Sequence, residues 1–433
     1  MHMRLHSTKR AIAVIGASGL MLAAAAGADA APGTVPLVRG AVAGERLAPE
    51  LRPHSTQVQE TVMYNFGAQN AGRFPEGNLT ALNGSYYGAT IDGGNLYGTI
   101  YAASSTGVKV LYAFKGSPDG ALPAAGVTAV NGMLYGTTTE GGYCNDGFIN
   151  GSHCYGTVFQ LSPSGEEKVL FKFNGTDGGG PHAQLVYANG ALFGTTANGR
   201  GTVFEVTLAG AHRTLHSFMG GTDGENPYGS LLFSGGEIYG TTALGGGTGC
   251  GGSGCGSVFA INATTGQERV VYAFQGGSDG AAPVAGLTAY AGKLYGTTYR
   301  GGNAGCLTLS AALVVGVGCG TVYSISPSGA EQVVYRFGGL LGVGGDGTNP
   351  ATELTMFENG LYGTTEYGGS YLQGTVFAVN WAGNEAIMHS FAALNDGQLP
   401  LSPLLGANGT LMGATSHGGL LGLGGGTLYD LKW

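Results

Sequence analysis

Short segments in which apolar and polar residues alternate recur along the chain, and Val, Ile, Leu, Tyr and Phe supply most of their apolar positions. Lys168 to Phe173 is one such segment, and Leu134 to Thr138, which reads L-Y-G-T-T, is another. Outside the N-terminus, no apolar run has helical spacing. Alternation of this kind predicts half-buried β-strands. The pattern therefore indicates an all-β chain.

The L-Y-G-T-T segment occurs seven times. Its clearest copies begin at Leu134, Leu294 and Leu361, and its weaker copies begin at Tyr86, Leu192, Ile238 and Leu411. Successive copies are about 45 to 70 residues apart, a period that is typical of solenoids and propellers. The chain is therefore one module repeated seven times.

Three further marks accompany the copies in a fixed order. The first is G-T-V-F or a close variant, whose glycines are Gly98, Gly156, Gly201, Gly256, Gly320, Gly374 and Gly426. The second is an alternating segment that ends in Phe66, Phe114, Phe173, Phe218, Phe274, Phe337 or Phe391. The third is Asp-Gly-x-x-Pro, which contains Asp119, Asp177, Asp223, Asp279, Asp346 or Asp396, whereas the first copy has Ala71 in place of Asp.

Each copy predicts four strands. Strand one runs from the Pro to an Asn-Gly or Gly-Gly turn, as in Gly126 to Asn131, and such dipeptides favour hairpins because both turn positions need a positive φ. Strand two is L-Y-G-T-T, strand three is G-T-V-F-x-L, and strand four ends at the Phe. Four short antiparallel strands describe a propeller blade better than a solenoid rung.

The two ends of the repeat region are complementary fragments of one copy. The region opens with Thr61 to Phe66, a strand four without its first three strands, and closes with Gly426 to Leu431, a strand three without its fourth. We therefore predict a seven-bladed β-propeller of four-stranded antiparallel blades, with a closing blade shared between the N-terminal strand and the C-terminal three. Glycine supplies 86 of the 433 residues and charged residues only 10%, which disfavours helix and charge-driven disorder.

The N-terminus predicts a targeting segment. Arg4, Lys9 and Arg10 precede an apolar run from Ala11 to Ala26, and small residues follow at Ala28 to Ala30. We assign residues 1–30 to a signal peptide, residues 31–57 to a flexible linker and residues 58–433 to the propeller. An uncleaved membrane anchor is the alternative, although the apolar run is short for a span. A secreted or periplasmic location follows from the signal peptide.

Six cysteines fit an oxidising location. They form three close pairs between strands two and three of single copies, namely Cys144 with Cys154, Cys250 with Cys255, and Cys306 with Cys319. Three local disulfides are the simplest interpretation. A zinc site is the alternative, because His153 adjoins Cys154, but the chain contains no Cys-x-x-Cys motif.

These marks resemble those of the bacterial tandem-repeat proteins called GloVer, the Gloeobacter and Verrucomicrobium repeat. The resemblance rests on L-Y-G-T-T, G-T-V-F and Asp-Gly-x-x-Pro in order, and it covers nearly all of Tyr64 to Trp433. It implies a secreted or surface-displayed repeat protein, often with a C-terminal anchor. This chain departs from that pattern, because it ends inside a predicted strand at Asp430 to Trp433. The resemblance implies no particular activity or catalytic residue.

Positions where the copies differ are the candidates for function. One follows L-Y-G-T-T and precedes Gly-Gly, and it holds Asp92, Glu140, Asn198, Leu244, Arg300, Tyr367 and His417. The loops between strands two and three and the Asp-Gly-x-x-Pro turns should emerge on one face of the propeller, so these residues should form a ring there. Carboxylates, Arg and Tyr in such a ring suit a polyhydroxylated ligand. The alternative is that they are ordinary solvated loop residues.

Strand one supplies a second set of candidates. Residues one and three places after the Pro should lie near the channel axis, and the polar ones are Glu76, Asn78, His182, Gln184, Tyr228, Ser230 and Glu353. His182 is the sharpest departure, since a His acts as a general base or metal ligand as well as a structural hydrogen-bonding group. The repeated Asp residues suggest calcium ligands, but an Asp before Gly in a turn normally accepts bonds from nearby backbone amides.

Charge limits the class of partner. The formal net charge is −8 with only 18 Lys and Arg, so no basic patch is expected for nucleic acid. We expect no membrane insertion of the mature chain, no cofactor, no metal and a monomer. Two functions remain. The first is a secreted module that binds a polysaccharide or a surface protein, and the second is a polysaccharide lyase or glycoside hydrolase that uses His182, Arg300, Tyr367, Glu140 or Glu366 at the channel mouth.

Overall fold

The computed structural model describes residues 58–67, 72–144, 154–303, 318–338, 345–393, 395–419 and 424–433. The predicted signal peptide, the linker and Cys306 lie outside these residues. Within them the chain forms seven antiparallel sheets around a common axis, which confirms the seven-bladed propeller. Two short 3-10 turns, Cys250–Gly252 and Gly277–Asp279, are the helical elements of the described residues. None of the described helices is long and apolar enough to cross a membrane.

The strands are numbered in chain order. Blade 1 contains β2 (Arg73–Leu82), β3 (Ser85–Asp92), β4 (Thr99–Ser104) and β5 (Gly107–Ala113), and blade 2 contains β6 (Thr128–Val130), β7 (Met133–Thr138), β8 (Thr157–Leu161) and β9 (Glu167–Lys172). Blade 3 contains β10 (Val186–Ala188), β11 (Ala191–Thr196), β12 (Thr202–Thr207) and β13 (His212–Ser217), and blade 4 contains β14 (Leu232–Ser234), β15 (Glu237–Thr242), β16 (Ser257–Asn262) and β17 (Glu268–Ala273). Blades 5 to 7 contain β18 (Thr288–Tyr290), β19 (Lys293–Thr298), β20 (Thr321–Ile325), β21 (Glu331–Arg336); β22 (Gly347–Pro350), β23 (Thr355–Phe357), β24 (Gly360–Gly368), β25 (Thr375–Val379), β26 (Glu385–Ser390); β27 (Leu405–Ala407), β28 (Thr410–Thr415), β29 (Thr427–Lys432) and β1 (Gln59–Asn65).

The seventh blade joins the two ends of the repeat region. β1 pairs antiparallel with β29, from Gln59 opposite Lys432 to Asn65 opposite Thr427, and the sheet order is β1-β29-β28-β27. Because strand four of this blade comes from the start of the repeats, backbone hydrogen bonds close the ring.

Strand one is shorter than the sequence predicts in every blade except blade 1, where β2 spans Arg73–Leu82. In blade 2 it spans only Thr128–Val130 instead of Gly126 to Asn131, and in blade 6 it is split into β22 and β23. The inner residues approach the strand-one segments of other blades instead of pairing within their own sheet. A Cβ on Gly126 would collide with the Asn78 carbonyl of blade 1, so crowding at the axis takes this segment out of its sheet.

The first two marks fit together inside each blade. The Gly of L-Y-G-T-T lies under the aromatic ring of G-T-V-F on the neighbouring strand, and a Cβ on Gly136 would lie 2.5 Å from the Phe159 ring. The second Thr of L-Y-G-T-T shares a hydrogen bond of 2.7 to 2.8 Å with the Thr or Ser of G-T-V-F in all seven blades, as in Thr138 with Thr157. L-Y-G-T-T and G-T-V-F recur together because the residues of one motif contact those of the other in every blade.

The remaining marks join one blade to the next. The ring of each strand-four Phe packs against the G-T-V-F aromatic of the following blade at centroid distances of 5.0 to 5.2 Å. The residue before each Pro has a left-handed backbone, and its amide donates to a carbonyl of the preceding blade at 2.7 to 3.0 Å. The seven donors are Phe74, Leu122, Gly180, Asn226, Ala282, Asn349 and Leu399.

Disulfides occur where the spacing predicts them. Cys144 is bonded to Cys154, and Cys250 is bonded to Cys255. Cys319 is also disulfide-bonded, and its predicted partner Cys306 lies outside the described residues. The Cys144–Cys154 and Cys250–Cys255 bridges each close a loop between strands two and three, so each restrains one loop of one blade.

Candidate functional site

The residues three places after the Pro meet near the axis. The Gln184 amide of blade 3 donates to Thr80 Oγ1 of blade 1 at 3.1 Å and to the Val127 carbonyl of blade 2 at 2.7 Å. The Glu353 carboxyl of blade 6 is hydrogen-bonded to Asn78 of blade 1, although blade 7 lies between them. Because these side chains contact blades that are not neighbours in the ring, the residues three places after the Pro narrow the channel. Burial raises the pKa of Glu353 to about 7.

On one side of the channel, the residues one place after the Pro bring two rings together. His182 of blade 3 and Tyr228 of blade 4 form an edge-to-face pair with centroids 5.7 Å apart. Burial lowers the pKa of His182 to about 4 and raises the pKa of Tyr228. The imidazole is therefore neutral at neutral pH.

A cluster of acids and phenols lies on the side formed by blades 5, 6 and 1. The Tyr299 hydroxyl donates to Glu366 Oε2 at 2.7 Å, and Tyr367 makes a second side-chain hydrogen bond to the same carboxyl. Glu366 is only 5% exposed, and burial raises its pKa against the opposing effect of the two phenols. Burial, and then repulsion from Glu366, raise the pKa of Glu76 to about 8. Glu76 therefore carries its proton at neutral pH.

The variable position before Gly-Gly forms an outer rim around this mouth. Its residues pair through the backbone with the residue that follows Asp-Gly or its equivalent, as Ala121 does with Glu140 and Ala281 with Arg300. These backbone pairs put the variable position at the same place in each of these blades. Burial raises the pKa of Glu140.

Several rim candidates are already engaged by their own blades. Asp92 forms an ion pair with Arg73 and accepts the Gly93 amide at 2.6 Å. His417 shares a hydrogen bond of 2.8 Å with Ser416 and packs on Phe74, and burial lowers its pKa. These residues shape the rim more than they offer free groups to a ligand.

Residues 148–342 match the family described as the Gloeobacter/Verrucomicrobia repeat. This chain therefore contains Gloeobacter/Verrucomicrobia repeats within residues 148–342. No curated protein is similar enough in sequence to match it.

Among solved structures, this repeat protein is similar to the computationally designed Ika8 protein. The two are 13% identical over 81% of this chain and 82% of that chain, with a TM-score of 0.45. Many other solved chains also match.

The repeated Asp residues of this repeat protein have the structural role predicted for a turn. Each accepts the amide of the residue after the strand-four Phe, as Asp279 does from Gln275 at 2.6 Å. Within the described residues, His216, Asp223 and Glu268 come close enough to share a metal ion. The following blade has Tyr272, Asp279 and Glu331 in the same places, so this arrangement belongs to the blade framework.

Sequence reasoning did not identify Tyr299 as a site residue, and it named Glu366 only for an enzyme. Both follow the second Thr of L-Y-G-T-T. The same place in the other copies holds Ile91, Thr139, Ala197, Ala243 and Ser416. A large polar side chain in two adjacent copies was the available signal.

Proposed function

We propose that this repeat protein is an exported binding module whose ligand enters the channel from the face of the Asp-Gly-x-x-Pro turns. The main support for this proposal is that polar side chains outside the repeated motifs come together at the channel mouth. Glu76, Glu366 and Tyr299 meet on one side of the mouth, while His182 and Tyr228 pair on another. The disulfides support export, because such bonds persist in oxidising locations.

The chemistry of the mouth suits a carbohydrate. The protonated Glu76 donates and accepts hydrogen bonds, and the Glu366 carboxyl accepts them. Tyr367 presents its phenol group to Glu366, and Tyr228 presents a second phenol group on the other side of the mouth. Aromatic rings combined with such groups recognise the apolar faces and hydroxyls of sugars. Because the chain has a formal net charge of −8 and its mouth is acidic, neutral or amino-bearing sugars should bind better than polyanions.

The rim around the mouth adds apolar contact area. Leu96, Tyr143, Met219 and Tyr371 are large exposed residues in the loops between strands two and three or in the turn after strand four. These segments lie on the same face as the mouth. A long polysaccharide or a surface protein would contact this rim as well as the channel.

A retention screen tests the proposal. The mature chain is offered to a glycan array and to immobilised neutral, amino-bearing and acidic polysaccharides, beside Glu366→Gln, Tyr299→Phe and Tyr323→Phe. Tyr323 is the matched control, because its hydroxyl is buried in the core of the same blade without a hydrogen-bond partner. We expect about tenfold weaker retention for Glu366→Gln and for Tyr299→Phe, as for the loss of one hydrogen bond to a charged group. The Tyr323→Phe control should be retained as strongly as the parent. Equal retention by all four proteins would contradict a ligand at the mouth.

A carbohydrate-active enzyme is the second candidate, because Glu76 and Glu366 provide a protonated carboxyl beside a second carboxyl. Glycosidases need such a pair, one as the acid and one as the base or nucleophile. The same polysaccharides are therefore examined for new reducing ends and for unsaturated sugars. Product formation that Glu76→Gln abolishes, with retention preserved, would establish the enzyme. Retention without product would establish the binding module.

A further inference from the structure

A second set of carboxyl groups lies between the blades, away from the channel. In five of the six Asp-containing turns, the Asp accepts a backbone amide and also a side-chain donor two residues before the strand-four Phe. The side-chain donors are Tyr112, His216, Tyr272, Tyr335 and His389, at 2.8 to 3.1 Å. The framework therefore holds these Asp carboxylates in fixed positions.

Five of these Asp residues face a Glu at the start of strand four in the next blade. The pairs are Asp119 with Glu167, Asp223 with Glu268, Asp279 with Glu331, Asp346 with Glu385, and Asp396 with Glu60. Every one of these Glu residues has a buried Oε1 atom without a hydrogen-bond partner. At Asp223 and Glu268, one oxygen of each carboxyl lies within 4.8 Å of the other. The same pairing of an Asp with a Glu thus recurs at five interfaces.

The two remaining interfaces show that the two positions change together. Where strand four has Phe171 instead of a donor, the residue facing Asp177 is His212 rather than Glu. Where the sequence has Ala71 in place of Asp, the matching strand-four position in blade 1 holds Val108. A Glu therefore occurs only opposite an Asp that also has a side-chain donor.

An ionised pair of this kind is unfavourable, since two carboxylates repel each other and offer only acceptors. A proton on the Glu supplies the missing donor and removes one charge. We propose that each of the five interfaces holds one proton between its Asp and Glu, so that protons lock the blades together in acid and their loss loosens the ring in alkali.

The electrostatic environment agrees with this geometry. Burial first, and then the facing Asp, raise the pKa of Glu60, Glu167, Glu268 and Glu331 to about 7 and that of Glu385 to about 8. The nearby groups that oppose the rise are Lys115 and Tyr112 at Glu167, Arg269 at Glu268, Arg336 at Glu331 and His389 at Glu60, whereas Asp430 adds to the rise at Glu60.

The consequence is a stability that falls as the pH rises. The folded pKa of these Glu residues exceeds the ordinary value of 4.5, so the folded chain binds more protons than the unfolded chain. Their contribution is complete below pH 4.5 and is lost as the pH rises through about 7 to 8. Each proton released on unfolding changes the unfolding equilibrium constant about tenfold per pH unit. In the channel, Glu76 and Glu353 act in the same direction, while His182, with its lowered pKa, destabilises the fold as the pH falls through about 4.

Glutamine tests the proposal because its amide donates a hydrogen bond at every pH. Urea unfolding is measured from pH 5 to pH 9 for the full chain, for Glu167→Gln, Glu268→Gln, Glu331→Gln and Glu385→Gln singly, and for the four changes combined. We expect the pH slope to decrease by up to one proton per substitution, and the combined variant to unfold at higher urea than the parent at pH 9. Glu166→Gln, at an exposed neighbour of Glu167, should leave the slope unchanged.

A spectroscopic measurement applies even where unfolding is irreversible. Infrared spectroscopy of the folded parent at pH 6 should show the C=O stretch of protonated carboxyl groups, and each Gln substitution should reduce that band, whereas Glu166→Gln should not. Unchanged bands and unchanged slopes in the Gln variants would overturn the proposal. A parent whose stability rises steadily from pH 5 to pH 9 would also overturn it.

Discussion

At the interfaces between blades, all seven copies have the same Phe, Pro and Gly. At the channel mouth, the two residues found one and three places after the Pro form a different pair in every copy. The interface residues contact the neighbouring blade, since the Phe rings pack across the interface and the amide before each Pro donates a hydrogen bond across it. The residues of the mouth differ from copy to copy: His182 and Glu366, for example, are each found at their position in only one of the seven copies. In this protein, therefore, repetition reflects the construction of the ring, and departures from repetition mark the proposed binding site.

The largest expected effect comes from removing an interface ring. Phe274 is fully buried and packs against Tyr323 of the next blade at 5.0 Å. We expect Phe274→Ala to reduce the free energy of unfolding by about 4 kcal/mol, because it leaves a cavity between two blades. Urea denaturation measures the change, with the exposed Tyr371→Ala as the control, for which a loss within about 0.5 kcal/mol is expected. Equal losses in the two variants would show that the interface rings are not special.

A smaller loss is expected from filling the space over a strand-two glycine. A Cβ on Gly240 would collide with the Phe259 ring and approach Leu231 to 2.9 Å. We expect Gly240→Ala to cost about 2 kcal/mol by overpacking. Gly247→Ala is the matched control, since nothing lies within 4 Å of its added Cβ. A Gly240→Ala variant as stable as Gly247→Ala would mean that the glycine of L-Y-G-T-T is not required for packing.

A third substitution should stabilise the chain by making one copy more like the others. Tyr323 buries a hydroxyl without a hydrogen-bond partner, and four sibling blades have Phe in its place. Removing an unsatisfied buried hydroxyl should raise the free energy of unfolding by about 1 kcal/mol. Thermal and urea unfolding of Tyr323→Phe measure the gain. A loss of stability would show that this hydroxyl has a role in blade 5 that its siblings lack.

The smallest effect on stability is expected at the mouth. His182 makes an edge contact with Tyr228 and carries no proton at neutral pH. We expect His182→Asn to change the free energy of unfolding by no more than about 0.5 kcal/mol at pH 7. As the pH falls toward 4, the variant should lose less stability than the parent, because unfolding of the parent exposes an imidazole that then binds a proton and so favours the unfolded chain. Parallel pH profiles of the two proteins would contradict this account of His182.

The sequence predicted the ring better than the mouth. The seven copies, the alternation within each strand and the complementary ends suffice to predict seven four-stranded blades, because each mark is repeated and each has an obligatory partner. The length of strand one was overestimated in the blades other than blade 1, since the crowding of Gly126 against Asn78 at the axis is visible only in three dimensions.

The mouth depends on contacts between single residues that are distant in sequence. Tyr299 and Glu366 are 67 residues apart, and nothing in their local sequence indicates that their side chains point at each other. The sequence places His182 and Tyr228 near the axis, but their contact depends on the packing of blades 3 and 4. Periodicity defines a position in the ring, and it does not define which side chains meet there.

The measurement that tests the central claim most directly compares stability and ligand retention in two variants. Tyr299→Phe combined with Glu366→Gln removes the Tyr299 hydroxyl and the Glu366 carboxylate from the mouth, and Gly240→Ala disturbs the framework of one blade. The account predicts that the mouth variant unfolds at the parent's urea midpoint and loses the retained polysaccharide, whereas the framework variant unfolds earlier and, while folded, retains it. A mouth variant that is destabilised but still binds, or a folded framework variant that no longer binds, would contradict the division between a repeated scaffold and a unique site.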